Sequence, residues 1–320
     1  MFRCSTHVKR ISWIAFTVLV AGLTAAQAQR PAGTQRPAAV PADYIITPFG
    51  YFHPSCVKQL AAGDEVRHDM NAIRHKDGSY DSISACAFPQ FDAKGQRTEA
   101  NGSSTKKEPT ISHAWVEYAS TTTSSSFGEM VAEWSVPSAP SASDGQTVYL
   151  FPGLEDYADV KTIIQPVLGW NSDYSNAWGI ASWNCCWSGT TFEAAPARVN
   201  AGDTILGELW DTCSSGTLSC ATWDILTYDL VSGKYSEMLN TSSQGQTFNW
   251  AFSGALEVYN IKQCADYPSN GYTSFHNVEL YNDSFAQVTD PTWSVTNASS
   301  GLTPQCSYGG ALSQQVNLYY

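Results

Sequence analysis

The chain has 320 residues, and its 17 basic and 29 acidic residues give a formal net charge of −12 at pH 7. This balance argues against nucleic acid or an anionic membrane surface as a partner, because both carry the same sign of charge. After residue 114 the chain has only four basic residues against twenty acidic ones. Solubility alone would explain such a surface, but it also suits a protein that works in acid, where carboxylates are protonated.

The first 28 residues have the pattern of a secretory signal peptide. A basic head with Lys9 and Arg10 precedes an apolar run from Ile11 to Leu23, and Ala26-Gln27-Ala28 matches a signal-peptidase site. A membrane anchor is the alternative, but the apolar run is too short to span a bilayer. We therefore expect cleavage after Ala28 and a secreted, extracellular protein without a membrane partner.

Residues 29–110 are predicted to form a pro-segment or accessory region that ends in a linker. Residues 29–43 are rich in Pro and Ala, and residues 91–110 are polar without apolar periodicity. This region holds His53, His68 and His75 and most of the basic residues. In a zymogen it would lie against an acidic partner domain and be released as acid charges the histidines. The alternative is an accessory domain that is never removed.

Residues 111–320 have a different sequence pattern, in which short apolar and aromatic runs are separated by clusters of Gly, Ser, Asn and Asp. In "TWDILTYDL" the residues Trp223, Ile225, Thr227 and Asp229 alternate with period two and should face one way. About ten such runs with turn residues between them predict an all-β domain, an antiparallel two-sheet β-sandwich. The predicted strands are "HAWVEYAS", "GEMVAEWSV", "TVYLFPGLE", "KTIIQPVLGW", "AWGIASWNC", "DTILGELW", "ATWDILTYDL", "QTFNWAFSG", "ALEVYNIK" and "SFHNVELYN".

Eight cysteines remain after signal cleavage, and an even number in an exported chain indicates disulfides. Proximity along the chain favours three pairs: Cys56–Cys86, Cys213–Cys220 and Cys264–Cys306. The adjacent Cys185 and Cys186 would then either bond to each other or pair elsewhere. A structural zinc site is not expected, because no cysteine or histidine pair has the spacing of a zinc finger.

The chemistry available to the sandwich comes from carboxylates, amides and aromatic rings. The region lacks G-x-S-x-G, H-E-x-x-H and glycine-rich phosphate loops, so a serine triad, a zinc protease or a nucleotide site is not indicated. Gln165 interrupts the apolar run "TIIQPVLGW", and Glu155, Glu208 and Glu257 lie in similar runs. Burying an unpaired amide costs about 1–3 kcal/mol, so Gln165 calls for an explanation. For the glutamates the ordinary alternative is an outward position on a half-exposed strand.

Four stretches in order resemble the eqolisins, the glutamic peptidases. They are "GEMVAEWSVPSAP", "VYLFPGLEDYADVKTIIQPVLGW", "VNAGDTILGEL" and "FSGALEVYNIKQC". The resemblance covers residues 126–284 and implies a lectin-like jelly-roll sandwich with Gln165 and Glu257 as the catalytic pair. It places Glu155 near the substrate groove, where we also expect Trp170, Trp183 and Tyr259.

In that arrangement Glu257 would act as general base on a water molecule, and Gln165 would stabilise the tetrahedral intermediate. The resemblance thus implies an acid-acting endopeptidase with a polypeptide substrate, without a cofactor or metal. We expect the chain to act as a monomer. The rival hypothesis is a carbohydrate-binding module or lectin, or a polysaccharide-cleaving enzyme on the same fold, with some of the many Trp rings lining a sugar groove.

Overall fold

The computed structural model describes residues 36–67, 70–98, 114–158, 160, 162–186, 189–297 and 316–320. The signal peptide, His68 and Cys306 lie outside this part, as does the predicted boundary at residue 110. Regular structure here consists of β-strands and short 3₁₀ helices, which include Pro54–Cys56 and Cys264–Asp266. In the same part of the chain we find no helix long and apolar enough to span a bilayer.

Eight short strands precede residue 99, and fourteen follow it. The first group is β1 (Ile45–Thr47), β2 (Gly50–Phe52), β3 (Val57–Leu60), β4 (Glu65–Arg67), β5 (Ala72–Arg74), β6 (Tyr80–Ser82), β7 (Gln90–Phe91) and β8 (Arg97–Thr98). The second is β9 (Trp115–Thr122), β10 (Phe127–Ser135), β11 (Thr147–Glu155), β12 (Ile163–Trp170), β13 (Trp178–Cys185), β14 (Thr191–Ala194), β15 (Ala197–Arg198), β16 (Thr204–Asp211), β17 (Thr222–Asp229), β18 (Tyr235–Ser242), β19 (Trp250–Tyr259), β20 (Tyr272–Asn282), β21 (Ser294–Asn297) and β22 (Val316–Tyr319).

The predicted all-β sandwich is confirmed. The front sheet has the strand order β21-β9-β19-β11-β12-β13-β14-β3, with β15 beside β13. The back sheet has the order β22-β20-β10-β16-β17-β18-β4-β5-β6. The long strands pair antiparallel, and only two short N-terminal strands join parallel to them. One detail of the prediction was wrong, since "QTFNWAFSG" and "ALEVYNIK" contribute to one continuous strand, β19, rather than to two.

Alternation along the strands sets which side chains fill the space between the sheets. On β17 the buried residues are Trp223, Ile225, Thr227 and Asp229, as the sequence predicts. Two apolar clusters lie between the sheets, one around Leu150, Trp134 and Phe275 and the other around Ile164, Met130 and Ile225. These clusters form the core of the sandwich.

A third apolar cluster lies on the other side of the front sheet. It joins front-sheet residues such as Phe151, Trp183 and Phe252 to Phe49 and Tyr51 of the N-terminal region. The outer face of the front sheet is therefore not open to solvent here but is packed against residues that precede the sandwich. This packing decides the surroundings of the candidate site.

The N-terminal region is tied to both sheets and to its own small sheet. Strand β3 pairs parallel with β14 and extends the front sheet, while β4 pairs parallel with β18 and extends the back sheet. Strands β1, β2, β7 and β8 form a separate four-stranded sheet. The hairpin of β1 and β2, residues 45–52, is called the covering hairpin below, because its side chains pack on the front sheet.

Three disulfides lie within the described part of the chain. Cys56–Cys86 and Cys213–Cys220 have the predicted pairing. Cys185 and Cys186 bond to each other, which settles the alternative that the sequence left open. Cys264 is also disulfide-bonded, and its predicted partner Cys306 lies outside the described residues.

Candidate active site

The side chain of Gln165 lies on the outer face of the front sheet. Its strand alternates there with Ile163 and Val167, which belong to the outer apolar cluster, whereas Ile164 and Leu168 face the interior between the sheets. Gln165 is fully buried, and neither its amide oxygen nor its amide nitrogen has a hydrogen-bond partner in the structure. Buried side-chain amides are normally paired, so this glutamine is not explained by folding alone.

The sheet is locally open beside Gln165. Paired positions between β11 and β12 run from Val148–Trp170 to Leu150–Leu168 and resume at Leu154–Ile164. This register sets Pro152 opposite Pro166 in the gap, and a proline has no N–H to donate to a ladder. Gly153 lies opposite Gln165, and a Cβ there would approach the Cβ of Gln165 to 3.5 Å. A side chain at position 153 would therefore crowd the backbone and side chains of β12, and glycine lets the two strands approach here.

Glu155 is the acidic residue that the register brings near Gln165. It lies two residues beyond Gly153 on the neighbouring strand and on the same face, which places its Cα about 7–8 Å from that of Gln165. Glu155 is 0% exposed, and neither carboxylate oxygen has a hydrogen-bond partner in the structure. Burial raises the pKa of Glu155 well above its ordinary value.

Glu257 also lies on the outer face of the front sheet, but it is remote from Gln165. It pairs with Tyr149 on β11, whereas Gln165 is opposite Gly153, four residues further along that strand. The two side chains are thus about 13 Å apart along the strands and two strand spacings, about 10 Å, across them. One shared water molecule cannot bridge that separation. The predicted contact between Gln165 and Glu257 is therefore not present in this structure.

The carboxylate of Glu257 is also already hydrogen-bonded. Its Oε2 atom accepts a hydrogen bond of 3.1 Å from Trp115 Nε1, and its Oε1 atom accepts one from the hydroxyl of Tyr259. These partners are aromatic side chains of the same sheet and hold the glutamate in the apolar layer. Both carboxylate oxygens of the buried Glu257 are thus hydrogen-bonded, and its catalytic role stays a prediction.

Two of the three predicted groove aromatics share the outer face. Trp183 is the cross-strand neighbour of Gln165, and Tyr259 lies at the end of β19 beside Glu257. Trp170 instead packs edge-on against Trp178 in the cluster between the sheets, so it lies on the opposite face and is not part of the groove. The cause is the period of two along β12, which separates position 170 from position 165.

The covering hairpin lies over this face. The ring of Phe49, in the loop of the hairpin, packs edge-on against Trp183 with ring centroids 5.8 Å apart. Tyr51 packs in the same way on Tyr259 at 5.5 Å, and its hydroxyl donates to the side-chain oxygen of Asn260 at 3.3 Å. The contact of Phe49 covers the Gln165 end of this face, and the contacts of Tyr51 cover the Glu257 end.

Sequence reasoning missed Glu193. It is opposite Trp183 on β14 and fully buried, and its Oε2 atom accepts a hydrogen bond of 3.1 Å from Gln59 of β3. Strand β14 has only four residues, too few for a clear alternating pattern. Glu208, by contrast, lies half-buried on the outer face of the back sheet, far from this site.

The ion pairs of the two described N-terminal histidines, His53 and His75, are made with residues of the N-terminal region. His53 pairs with Asp43 at 3.3 Å, and His75 lies between Asp64 and Asp81 at 3.1 and 3.2 Å. The hydrogen bond to Asp64 raises the pKa of His75. The described contacts between the covering hairpin and the sandwich are aromatic packing and hydrogen bonds instead. Release of this region by repulsion in acid therefore stays a prediction.

Among the described residues no group of three or more His, Cys, Asp or Glu side chains is placed to hold a metal ion. The chemistry that this site can perform with its own groups is proton transfer by Glu155 and hydrogen bonding by the Gln165 amide. A carboxyl group and an amide on adjacent strands form a site for a carbonyl or a water molecule.

Comparison of the structure with known proteins finds glutamic peptidases. A scytalido-glutamic peptidase with a peptide-based transition state analog is 16% identical, with a TM-score of 0.46, and covers 64% of this chain and 98% of that chain. A second such structure, with a transition state analog inhibitor, is 15% identical, has a TM-score of 0.43 and covers 65% and 98%. SCP-B, a member of the eqolisin family in complex with the tripeptide Ala-Ile-His, is 17% identical, with a TM-score of 0.43 and the same coverage.

The chain is thus similar to eqolisin structures at low sequence identity. No family model matches the sequence. The search of curated proteins likewise finds no match.

Proposed function

We propose that the chain is a secreted, monomeric endopeptidase that acts in acid through Glu155 and Gln165. One observation carries the proposal: two fully buried polar side chains without hydrogen-bond partners lie on adjacent strands and on the same outer face of the front sheet. Such groups reduce the stability of the fold, and a pair of them at one place favours a functional role. The eqolisin-like motifs around Gln165 favour peptide hydrolysis among the reactions that an acid and an amide can promote.

In the proposed reaction the ionised Glu155 takes a proton from a water molecule, and the water oxygen attacks the scissile carbonyl carbon. The amide N–H of Gln165 donates a hydrogen bond to the oxyanion that forms, a contribution of roughly 3 kcal/mol. Glu155 then transfers its proton to the amide nitrogen as the C–N bond breaks, which releases the amine and restores the carboxylate. No covalent enzyme intermediate is needed.

Access to this pair requires movement of the covering hairpin. Phe49 packs on Trp183, the cross-strand neighbour of Gln165, so an extended peptide cannot lie over Gln165 while that ring remains there. We therefore propose that the full-length chain is a zymogen and that proteolysis in the linker before β9 allows the N-terminal region to leave. Solvation of Glu155 would then lower its pKa toward the ordinary value, about 4.3. The carboxylate would be available as a base in weak acid.

The test is hydrolysis of denatured casein from pH 2 to pH 7 by secreted protein, with N-terminal sequencing of the active material. Glu155→Gln and Gln165→Ala should each lower kcat/KM by about 10²-fold or more. Glu208→Gln is the matched control, since it removes a half-buried carboxylate from the other sheet. Circular dichroism must show that each variant is folded.

Glu257→Gln in the same assay tests the pairing that the sequence predicts. If that variant loses activity and Glu155→Gln does not, Glu257 is the catalytic acid. If material lacking the N-terminal region cleaves no peptide at any pH, the peptidase proposal is rejected. Active material that still begins near residue 29 would reject the zymogen hypothesis but not the peptidase proposal.

A further inference from the structure

A groove of about 530 Å³ lies at the β9–β21 edge of the front sheet, on the same outer face as the candidate active site. Its floor consists of aromatic side chains. Trp250 and Tyr157 pack edge-on with ring centroids 5.2 Å apart, and Tyr118 lines the groove beside them. A volume of this size is typical of small-molecule and cofactor sites.

The sides of the groove are rows of hydroxyl groups. Ser120 and Thr122 alternate on β9, and Ser294 and Thr296 alternate on β21, with Ser294 directly opposite Ser120. None of these four hydroxyls hydrogen-bonds to another group of the described chain. Each hydroxyl can donate one hydrogen bond and accept two, so together they offer both donors and acceptors to a ligand.

No charged side chain is found among the described residues that line this groove. This is unusual in a chain whose formal net charge is −12. Without a charged partner the groove does not favour a phosphate, a carboxylate or a cation. It suits a neutral ligand that has hydroxyl groups to match the rim and apolar C–H surface to lie on the rings.

We propose that this groove binds a short neutral oligosaccharide. A polypeptide is the rival occupant, because it could pair with the edge strand β21, and the experiment below separates the two. The proposed site is separate from the peptidase pair, although Trp250 connects the two. It pairs with Glu155 across β19 and β11, and with Thr122 across β19 and β9.

The experiment is isothermal titration of the full chain with cellohexaose, maltohexaose and chitohexaose, each as a separate probe. At least one sugar should bind saturably. The double variant Ser120→Ala, Thr122→Val should weaken binding about tenfold or more, since each lost hydrogen bond contributes on the order of a few-fold. Tyr157→Leu should weaken it as well by removing part of the ring surface. Trp210→Leu, on the outer face of the back sheet, is the control and should leave binding unchanged.

Absence of saturable binding for all three sugars would overturn the proposal, and so would equal affinity in the groove variants and the parent. A casein peptide that binds at the groove while the sugars do not would assign the site to the peptide substrate instead. The titration reports sugar binding and does not depend on hydrolysis. Repeating it with Glu155→Gln, which removes the proposed catalytic carboxylate, shows whether sugar binding is independent of the peptidase proposal. If the double variant proves unfolded, the single Thr122→Val variant, at an exposed position, replaces it.

Discussion

The outer faces of the two sheets contrast in how they hold polar groups. On the front sheet, Gln165 and Glu155 are completely buried and have no partners. On the back sheet, Glu129, Glu208 and Glu279 lie around Val131, the first two half-buried and Glu279 exposed. The back sheet therefore shows what an ordinary charged sheet surface looks like in this protein. The front sheet departs from it where N-terminal residues pack on its outer face.

Glu155 on the outer face of the front sheet and Glu129 on that of the back sheet both have a raised pKa. For Glu155 the shift comes from burial alone. Burial is also the main cause at Glu129, but the nearby carboxylates of Glu208, Glu279 and Asp211 add to it and raise the pKa of Glu129 to about 7. Burial thus dominates both shifts, and repulsion from neighbouring carboxylates adds to it at Glu129.

The largest expected difference between the two outer faces is in the stability that is lost when an apolar side chain is truncated. Phe49→Ala should lower the free energy of unfolding by about 3 kcal/mol, because the ring is almost fully buried on Trp183. Leu226→Ala, half-buried on the outer face of the back sheet, should cost less than about 1 kcal/mol. Urea unfolding of both variants measures the difference. Equal losses would mean that the covering hairpin is not anchored as described.

Replacing the buried polar side chains of the front sheet should change the free energy of unfolding in the opposite direction and stabilise the protein. Gln165→Leu and Glu155→Leu should each raise the free energy of unfolding of the full chain by about 1–2 kcal/mol, since an unpaired buried polar group is replaced by an apolar one. Glu208→Leu is the matched change on the back sheet and should stay within about 0.5 kcal/mol. A loss of stability in both front-sheet variants would show that these side chains have structural partners.

The smallest expected effect is the contribution of Glu129 to the pH dependence of the free energy of unfolding. Its raised pKa means that the folded state binds more protons than the unfolded state between about pH 4.3 and 7. Stability from this group is present at low pH and is lost as the pH rises through about 7. Glu129→Gln should reduce the change in unfolding free energy between pH 5 and pH 8 by about 1 kcal/mol, allowing for solvent screening. An unchanged pH profile would contradict this assignment.

The sandwich was predictable because its strands carry local signals. Alternation in β17 and the buried run of β12 are visible in short windows, and turn residues separate them. The position of Gln165 on a buried strand follows from the same pattern. Two cysteine pairs were predictable from proximity along the chain.

The partner of Gln165 could not be predicted in this way. Which glutamate lies nearest depends on the register across three strands, and a β-bulge changes that register where Pro152 faces Ser253 and Gly254. The covering hairpin is equally hidden from sequence, because its packing on Trp183 joins residues more than 130 positions apart. Nothing in a local window reports such a contact.

The parallel attachment of β3 to β14 and of β4 to β18 has a consequence for any form of the protein that loses its first hundred residues. Both sheets would then end at strands whose backbone amides and carbonyls face solvent along one side of the molecule. Bare margins of this kind recruit further strands from other chains. A trimmed molecule would thus tend to self-associate there, unless the severed segment stays bound and continues to shield both margins.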